Sequence, residues 1–226
     1  MKKLVLLFDM DGTIIDSTEA ITESFETAFR SLGKDIGDVS KVLPLIGYPL
    51  DEIFVKLGIK KENTDDFINA YKAHYRIIAK RKTKLISGAK EAVREAYGFA
   101  RLGIVTTKTS LYTKKILEYF GILRQFEVVI GREDTTHTKP HPEPILKALR
   151  TMDADKRNAW MIGDTILDMG AGKAADIECA GVLCGYGKEK DLAQYTNIVL
   201  KDTLEAVQYI KNKEFLNIGK TRNISE

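Results

Sequence analysis

Leu4-Val5-Leu6-Leu7-Phe8-Asp9-Met10-Asp11-Gly12-Thr13 decides how this chain is read. Five apolar residues in a row, without helical spacing, describe a strand buried on both faces. The run stops at two aspartates two residues apart. On a continuing strand both carboxylates would face one side, and Gly12 lets the chain turn sharply so that both reach one small site. Four further runs have the same character: Leu102 to Val105, Phe126 to Ile130, Ala159 to Ile162 and Ala180 to Leu183. Helix-period segments lie between them, one after Thr109-Ser110 that stops at Gly121 and one after His141-Pro142. Strand and helix alternating in this way predict an α/β fold, a Rossmann-like parallel sheet with helices on both faces and ligands at the carboxyl ends of the strands.

The alternation breaks once. Between Asp16 and about residue 82 there are helix patterns without a buried strand. The first carries Ile21, Phe25, Ala28, Phe29 and Leu32 on one face, with Asp16 and Glu19 as a capping box and Gly33 as the stop. Leu50, Ile53, Phe54 and Leu57 make a second helix, and Phe67, Tyr71, His74, Tyr75 and Ile78 a third. The chain therefore divides into a catalytic core, residues 1–15 and 83–226, and an all-helical cap, residues 16–82, inserted after the first strand. Lys80-Arg81-Lys82 suits the C-terminus of the last cap helix, where cations oppose the helix dipole. The tail after about Ile210 is polar enough to fray.

Composition removes several function classes. At 226 residues, 44% hydrophobic and 30% charged, the chain is globular, and its net charge of +3 is interleaved along the sequence. No nucleic-acid or membrane partner is expected. The opening Met1 to Phe8 imitates a signal peptide, but Asp9 and Asp11 cut its apolar stretch short, so a cytoplasmic protein is expected. Cys179 and Cys184 have no metal-type spacing and suit core packing.

The ionisable residues sit at the ends of the strands. Besides Asp9 and Asp11, the second run ends in Thr106-Thr107, Lys139 stands in Thr138-Lys139-Pro140-His141-Pro142, and the fourth run ends in Gly163-Asp164-Thr165 with Asp168 four residues on. Carboxylates brought together at one sheet edge repel strongly, so positive charge must sit among them. Lysine supplies part, and a hard divalent cation with oxygen ligands supplies the rest; Mg²⁺ fits best. Gly170-Ala171-Gly172-Lys173-Ala174-Ala175 matches a dinucleotide-binding pattern but lies too far beyond its strand. Gly185-Tyr186-Gly187-Lys188 reads as a loop. His137 and His141 read as solvated loop histidines, with substrate contact as the alternative.

Asp9-Met10-Asp11-Gly12-Thr13, Val105-Thr106, Lys139-Pro140 and Gly163-Asp164-Thr165 followed by Asp168 together resemble the four motifs of the haloacid-dehalogenase-like phosphatases. They occur in that order, and residues 16–82 match the family's helical cap. The resemblance implies that Asp9 is the nucleophile, Asp11 the general acid and base, Thr106 a binder of phosphoryl oxygens, and Lys139 the cation that steadies nucleophile and phosphate. It implies Mg²⁺ held by Asp9, Asp11, Asp164 and Asp168, with Asp168 binding the ion or orienting its neighbours. Thr107 in the core and Gly47 and Tyr48 in the cap are the expected substrate contacts.

The segments Lys41 to Leu50 and Thr138 to Pro144 look most like the phosphoglycolate phosphatase and pyrophosphatase branches. The resulting expectation is an Mg²⁺-dependent phosphatase of a small phosphorylated metabolite, phosphoglycolate-like, acting as a monomer or weak homodimer. Residues 43 to 46 are apolar where a carboxylate-bearing substrate would want a cation, with Lys41 the nearest candidate. A pyrophosphatase and a sugar-phosphate mutase are alternatives within the fold, and a phospho-aspartate switch domain is the non-enzymatic one. Asp11 separates enzyme from switch, because a carboxylate placed to activate water destroys the acyl-phosphate that a switch must keep.

Overall fold

The computed structural model describes residues 3–222. In chain order its strands are β1 (Val5–Phe8), β2 (Ile15–Asp16), β3 (Lys84–Leu85), β4 (Arg101–Val105), β5 (Phe126–Ile130), β6 (Ala159–Gly163), β7 (Glu178–Val182) and β8 (Val199–Leu200). The helices are α1 (Thr18–Ser31), α2 (Leu50–Lys56), α3 (Thr64–Lys82), α4 (Ala89–Phe99), α5 (Ser110–Tyr119), α6 (Glu143–Thr151), α7 (Ile166–Ala175), α8 (Glu189–Leu192) and α9 (Thr203–Arg222). Six strands form one sheet in the order β5-β4-β1-β6-β7-β8, with every neighbouring pair parallel. All five expected buried runs are strands of it. The edge strand β8 and the β2/β3 pair, each only two residues long, gave no periodic signal.

Alternation along β1 builds both faces. Leu6 and Phe8 pack into the layer that contains Val93 of α4, Leu117 of α5 and Val207 of α9, whereas Val5 and Leu7 pack into the layer with Ile145 of α6 and Met169 of α7. Every residue of β1 is fully buried, which explains its unbroken apolar composition.

The topology places the site. From β1 the chain adds β4 and β5 on one side, then returns to add β6, β7 and β8 on the other. Strand order reverses between β1 and β6, and such a switch point opens a crevice at the strands' carboxyl ends. Asp9 leaves β1 and Asp164 leaves β6, so two adjacent strands, ~4.8 Å apart, deliver both carboxylates to that crevice.

Helices α1, α2 and α3 have their own apolar cluster, built around Phe25, Phe29, Phe54, Phe67 and Tyr71. Phe25 and Phe54 lie 4.8 Å apart between ring centroids, and Phe29 and Phe67 lie 5.3 Å apart edge to face. The chain enters and leaves this layer through the antiparallel β2/β3 pair, Ile15 opposite Leu85 and Asp16 opposite Lys84. The basic end of α3 is tied back to α1, where Lys82 reaches Glu19 at 2.8 Å and also Glu23.

Two local expectations are corrected. Asp16 and Glu19 form no capping box: Ser17 occupies the N-cap of α1, and Asp16 instead accepts the Thr18 backbone N–H at 3.0 Å as a short Asx turn. The tail does not fray at Ile210, because α9 runs on to Arg222. Ile210 is fully buried, Lys211 pairs with Glu95 at 2.9 Å, and Trp160 Nε1 donates to Glu214 at 3.2 Å. Those anchors lie far away in sequence. The last part of the expected tail, residues 223–226, lies outside the described residues.

Candidate active site

Asp9, Asp164 and Asp168 bring carboxylate oxygens within 4.8 Å of one another, all three buried. Lys139 enters from the loop after β5. Its Nζ donates to Asp9 Oδ1 at 2.7 Å, to the Val105 carbonyl at 3.0 Å, and to Asp168 Oδ1. Three carboxylates and one ammonium leave a formal charge of about −2, and the electrostatics register that excess. Burial pushes the Asp9 carboxyl up to about 7, with the negative charges of Asp168 and Asp11 adding to the rise and Lys139 opposing it. Burial likewise holds Asp164 well above the ordinary carboxyl range, helped by Asp168 and Asp9. Burial alone would push Lys139 towards neutrality, but Asp168 and Asp9 outweigh it and raise its affinity for the proton.

Asp164 sits in a cradle made by two glycine-containing turns. Thr13 Oγ1 donates to its Oδ1 at 2.9 Å and the Tyr186 backbone N–H to its Oδ2 at 2.8 Å. A Cβ on Gly12 would lie 2.3 Å from Asp164 Oδ2, and one on Gly185 2.1 Å from the same atom. The Gly185-Tyr186-Gly187 loop is thus the wall behind Asp164. All-oxygen donors with unneutralised charge suit a hard divalent cation.

Asp168 has both oxygens occupied. Oδ1 holds Lys139, and Oδ2 accepts from the Thr165 backbone N–H at 3.0 Å and the Thr165 hydroxyl at 2.7 Å, closing a capping box on α7. It therefore fixes the lysine and the first turn of α7 from within the cluster. The Asp11 carboxylate stands apart from this trio. One oxygen accepts from Ser17 and the other faces Lys108 Nζ at 3.1 Å, so the side chain is turned towards the cap and outside the converging trio.

Thr106 follows β4, on the other side of β1, and its hydroxyl accepts the Lys108 backbone N–H at 3.2 Å. Thr107 Oγ1 donates to the Gly47 carbonyl of the cap at 2.8 Å. Gly47 has φ +108°, and a Cβ there would come within 3.3 Å of Thr165 Cγ2, so only glycine fits this approach without strain. Gly47, Tyr48 and Thr107 line one cleft of about 600 Å³ between cap and core, together with Asp11.

Lys108 was not singled out from the sequence. It reads as an ordinary lysine before a helix, yet it is half-buried, pairs with Asp11, donates to Tyr75 Oη at 3.0 Å and sits 4.6 Å from that ring's centroid. Burial works against its charge, but Asp11 more than compensates and raises its affinity for the proton. Ser17 and Tyr186 were also missed; Tyr186 Oη meets Thr18 Oγ1 at 3.0 Å, joining the Asp164 loop to the cap. His137 is exposed and pairs with Glu143 at 2.9 Å, as a solvated loop residue would.

Residues 6–182 match the family model of the haloacid dehalogenase-like hydrolases. The chain belongs to that family. The hydrolase is 33% identical over 219 residues to the pyrophosphatase PpaX of Listeria monocytogenes, covering 94% of this chain and 99% of the relative. It is 31% identical over 214 residues to the phosphoglycolate phosphatase of Colwellia psychrerythraea, covering 86% and 90%. Among solved structures, a haloacid dehalogenase-like hydrolase from Bacteroides fragilis superposes with a TM-score of 0.86 at 27% identity, covering 91% of this chain and all of that one.

Proposed function

We propose that this hydrolase is a metal-dependent phosphatase of a small phosphorylated metabolite, acting through a phosphoryl group carried on Asp9. The observation that supports it most is the buried trio Asp9, Asp164 and Asp168 around Lys139, a nucleophile and a cation site on adjacent strands. Asp9 and Asp164 would hold Mg²⁺, which when bound supplies positive charge to the phosphoryl oxygens. Lys139 holds Asp9 Oδ1, which leaves the second oxygen to attack phosphorus. An Asp9 O–P bond forms as the ester P–O bond breaks, and the leaving oxygen takes a proton from Asp11. Water then attacks phosphorus, Asp11 takes its proton, and the Asp9 carboxylate departs. The Thr106 hydroxyl and the N–H groups of its loop bind equatorial oxygens.

No helix among the described residues is long and apolar enough to cross a membrane. The named relatives supply the starting substrates, 2-phosphoglycolate on one side and, as the second reading, pyrophosphate on the other. The antiparallel β2/β3 stem is where the cap would rotate to admit them.

Metal removal tests the reading. EDTA treatment should abolish turnover of a phosphomonoester, and Mg²⁺ should restore it. Undiminished activity in metal-free buffer would refute the assignment.

A further inference from the structure

We propose, resting on the phosphatase reading, that the group released is an uncharged, ring-bearing alcohol, so that the substrate class is the phosphomonoester of a ring compound of up to nucleoside size. The position of Asp11 begins the argument. If it protonates the leaving oxygen, the leaving group must lie next to it, and Asp11 lines the cleft between cap and core. Whatever the cleft is shaped for is therefore the leaving group.

Its size leaves room for more than a small one. The cleft measures about 600 Å³. Glycolate or phosphate, with about five non-hydrogen atoms, fills on the order of 100 Å³ at ~30 Å³ per water-sized group. Clefts of ~300–1,000 Å³ suit larger organic ligands.

Its walls select apolar, planar chemistry. Ile68 and Tyr112 are half-buried at its wall, with the nearly buried Ile53, Tyr71 and Tyr75 behind them, across the cap and the start of α5. The Tyr71 and Tyr75 rings are stacked, 5.6 Å apart at 11°, and Tyr112 meets Tyr75 edge to face at 6.2 Å. A planar ring entering there extends an existing aromatic array.

Its charge disfavours an anion. The lining cations are Lys72, Lys108 and Arg132, against Asp11, Asp51, Asp65 and Glu133. Lys108 is already committed to Asp11 and Tyr75. A glycolate carboxylate or a second phosphate would thus find no excess of positive charge in the cleft, whether Asp11 is ionised or carries the proton it donates. The apolar stretch Leu43 to Ile46, which ends at the cleft, agrees with an uncharged leaving group.

The test compares alkyl esters, so that leaving-group acidity does not decide the outcome. With the full-length, Mg²⁺-loaded protein, kcat/KM is measured for 2-phenylethyl phosphate, uridine 5′-monophosphate, n-butyl phosphate and 2-phosphoglycolate, and for pyrophosphate. At least one ring ester should exceed 2-phosphoglycolate and pyrophosphate by about tenfold or more, the scale of a few lost apolar contacts. Tyr112→Ala should reduce that preference about tenfold while changing 2-phosphoglycolate turnover by less than about threefold. Equal or better use of 2-phosphoglycolate or pyrophosphate overturns the proposal and leaves the phosphatase reading standing. A ring preference unaltered by Tyr112→Ala also overturns it, since the ring would then lie elsewhere. Failure to hydrolyse any ester in the presence of Mg²⁺ overturns both.

Discussion

Asp9→Asn should lower kcat/KM by roughly 10⁴–10⁶-fold, the scale on which loss of a covalent nucleophile is felt, and should leave the fold intact. The amide has the same shape as the carboxyl, so the packing beneath β1 is undisturbed. Stability follows from charge. Burial, Asp168 and Asp11 raise the Asp9 carboxyl from 3.8 to about 7 against the opposing Lys139. A carboxyl with a raised folded value gives stability that is fully present below about 4 and lost as the pH rises through about 7. Ionised Asp9 therefore burdens the metal-free protein at pH 8. Metal-free Asp9→Asn should melt at or above wild type at pH 8, and the difference should shrink towards pH 5. Circular dichroism melts at the two pH values, with kcat/KM measured alongside, check both halves. A variant that unfolds, or one that keeps substantial turnover, contradicts the role given to Asp9.

Gly12→Ala should also be damaging, for a reason rooted in backbone geometry. Gly12 has φ +86°, which an alanine adopts only with strain, and the new Cβ would lie 2.3 Å from Asp164 Oδ2. Either the turn carrying Asp11 or the carboxylate of Asp164 must move. Displacement of about 1 Å in such a site costs about 10²-fold in rate, and overpacking adds about 1–3 kcal/mol of destabilisation. Activity should fall by at least about 10²-fold, with weakened Mg²⁺ dependence and a lower denaturant midpoint. Gly37→Ala is the control for backbone strain alone, since Gly37 also has positive φ, +67°, but nothing lies within 4 Å of its Cβ position. If the two variants lost activity equally, crowding of Asp164 would not be the cause.

The strands were legible because burial on both sides imposes continuous apolar runs, a pattern that β1 follows throughout and that β5 follows apart from the exposed Glu127. Their ends were legible too, since Asp9, Thr106 and Asp164 interrupt apolar sequence with chemistry that a buried edge does not tolerate without partners, whereas Lys139 lies in a polar loop and was legible only through the resemblance. Side-chain direction was not legible. Spacing put Asp11 beside Asp9, but Ser17 and Lys108, which turn its carboxylate towards the cap, come from separate segments whose approach depends on how the helices close. Asp168 could be read as a ligand or an orienter, and its hydrogen bonds to Lys139 and Thr165 come from contacts that spacing alone does not reveal. The Gly185-Tyr186-Gly187 signal was visible but unassigned, because its purpose is to leave room for a residue 22 positions away.

The cap was legible as helices and opaque as a surface. Phe25, Tyr71 and Tyr75 read as core-facing positions, and they are buried in the cap cluster. That their edges also line a cleft reaching Asp11 depends on the angle at which α1 to α3 meet the sheet edge, set by the β2/β3 stem and the Thr107–Gly47 contact.

The central claim, a phosphoryl group carried on Asp9, is tested most directly by rapid acid quench of the Mg²⁺-loaded protein during turnover, followed by mass spectrometry of the peptide containing Asp9. The account predicts a phosphorylated Asp9 that is transient in wild type and longer lived in Asp11→Asn, where water has lost its base. Turnover with no phosphoryl group on Asp9 in either protein, or a wild-type phospho-form that lasts for minutes, would contradict it.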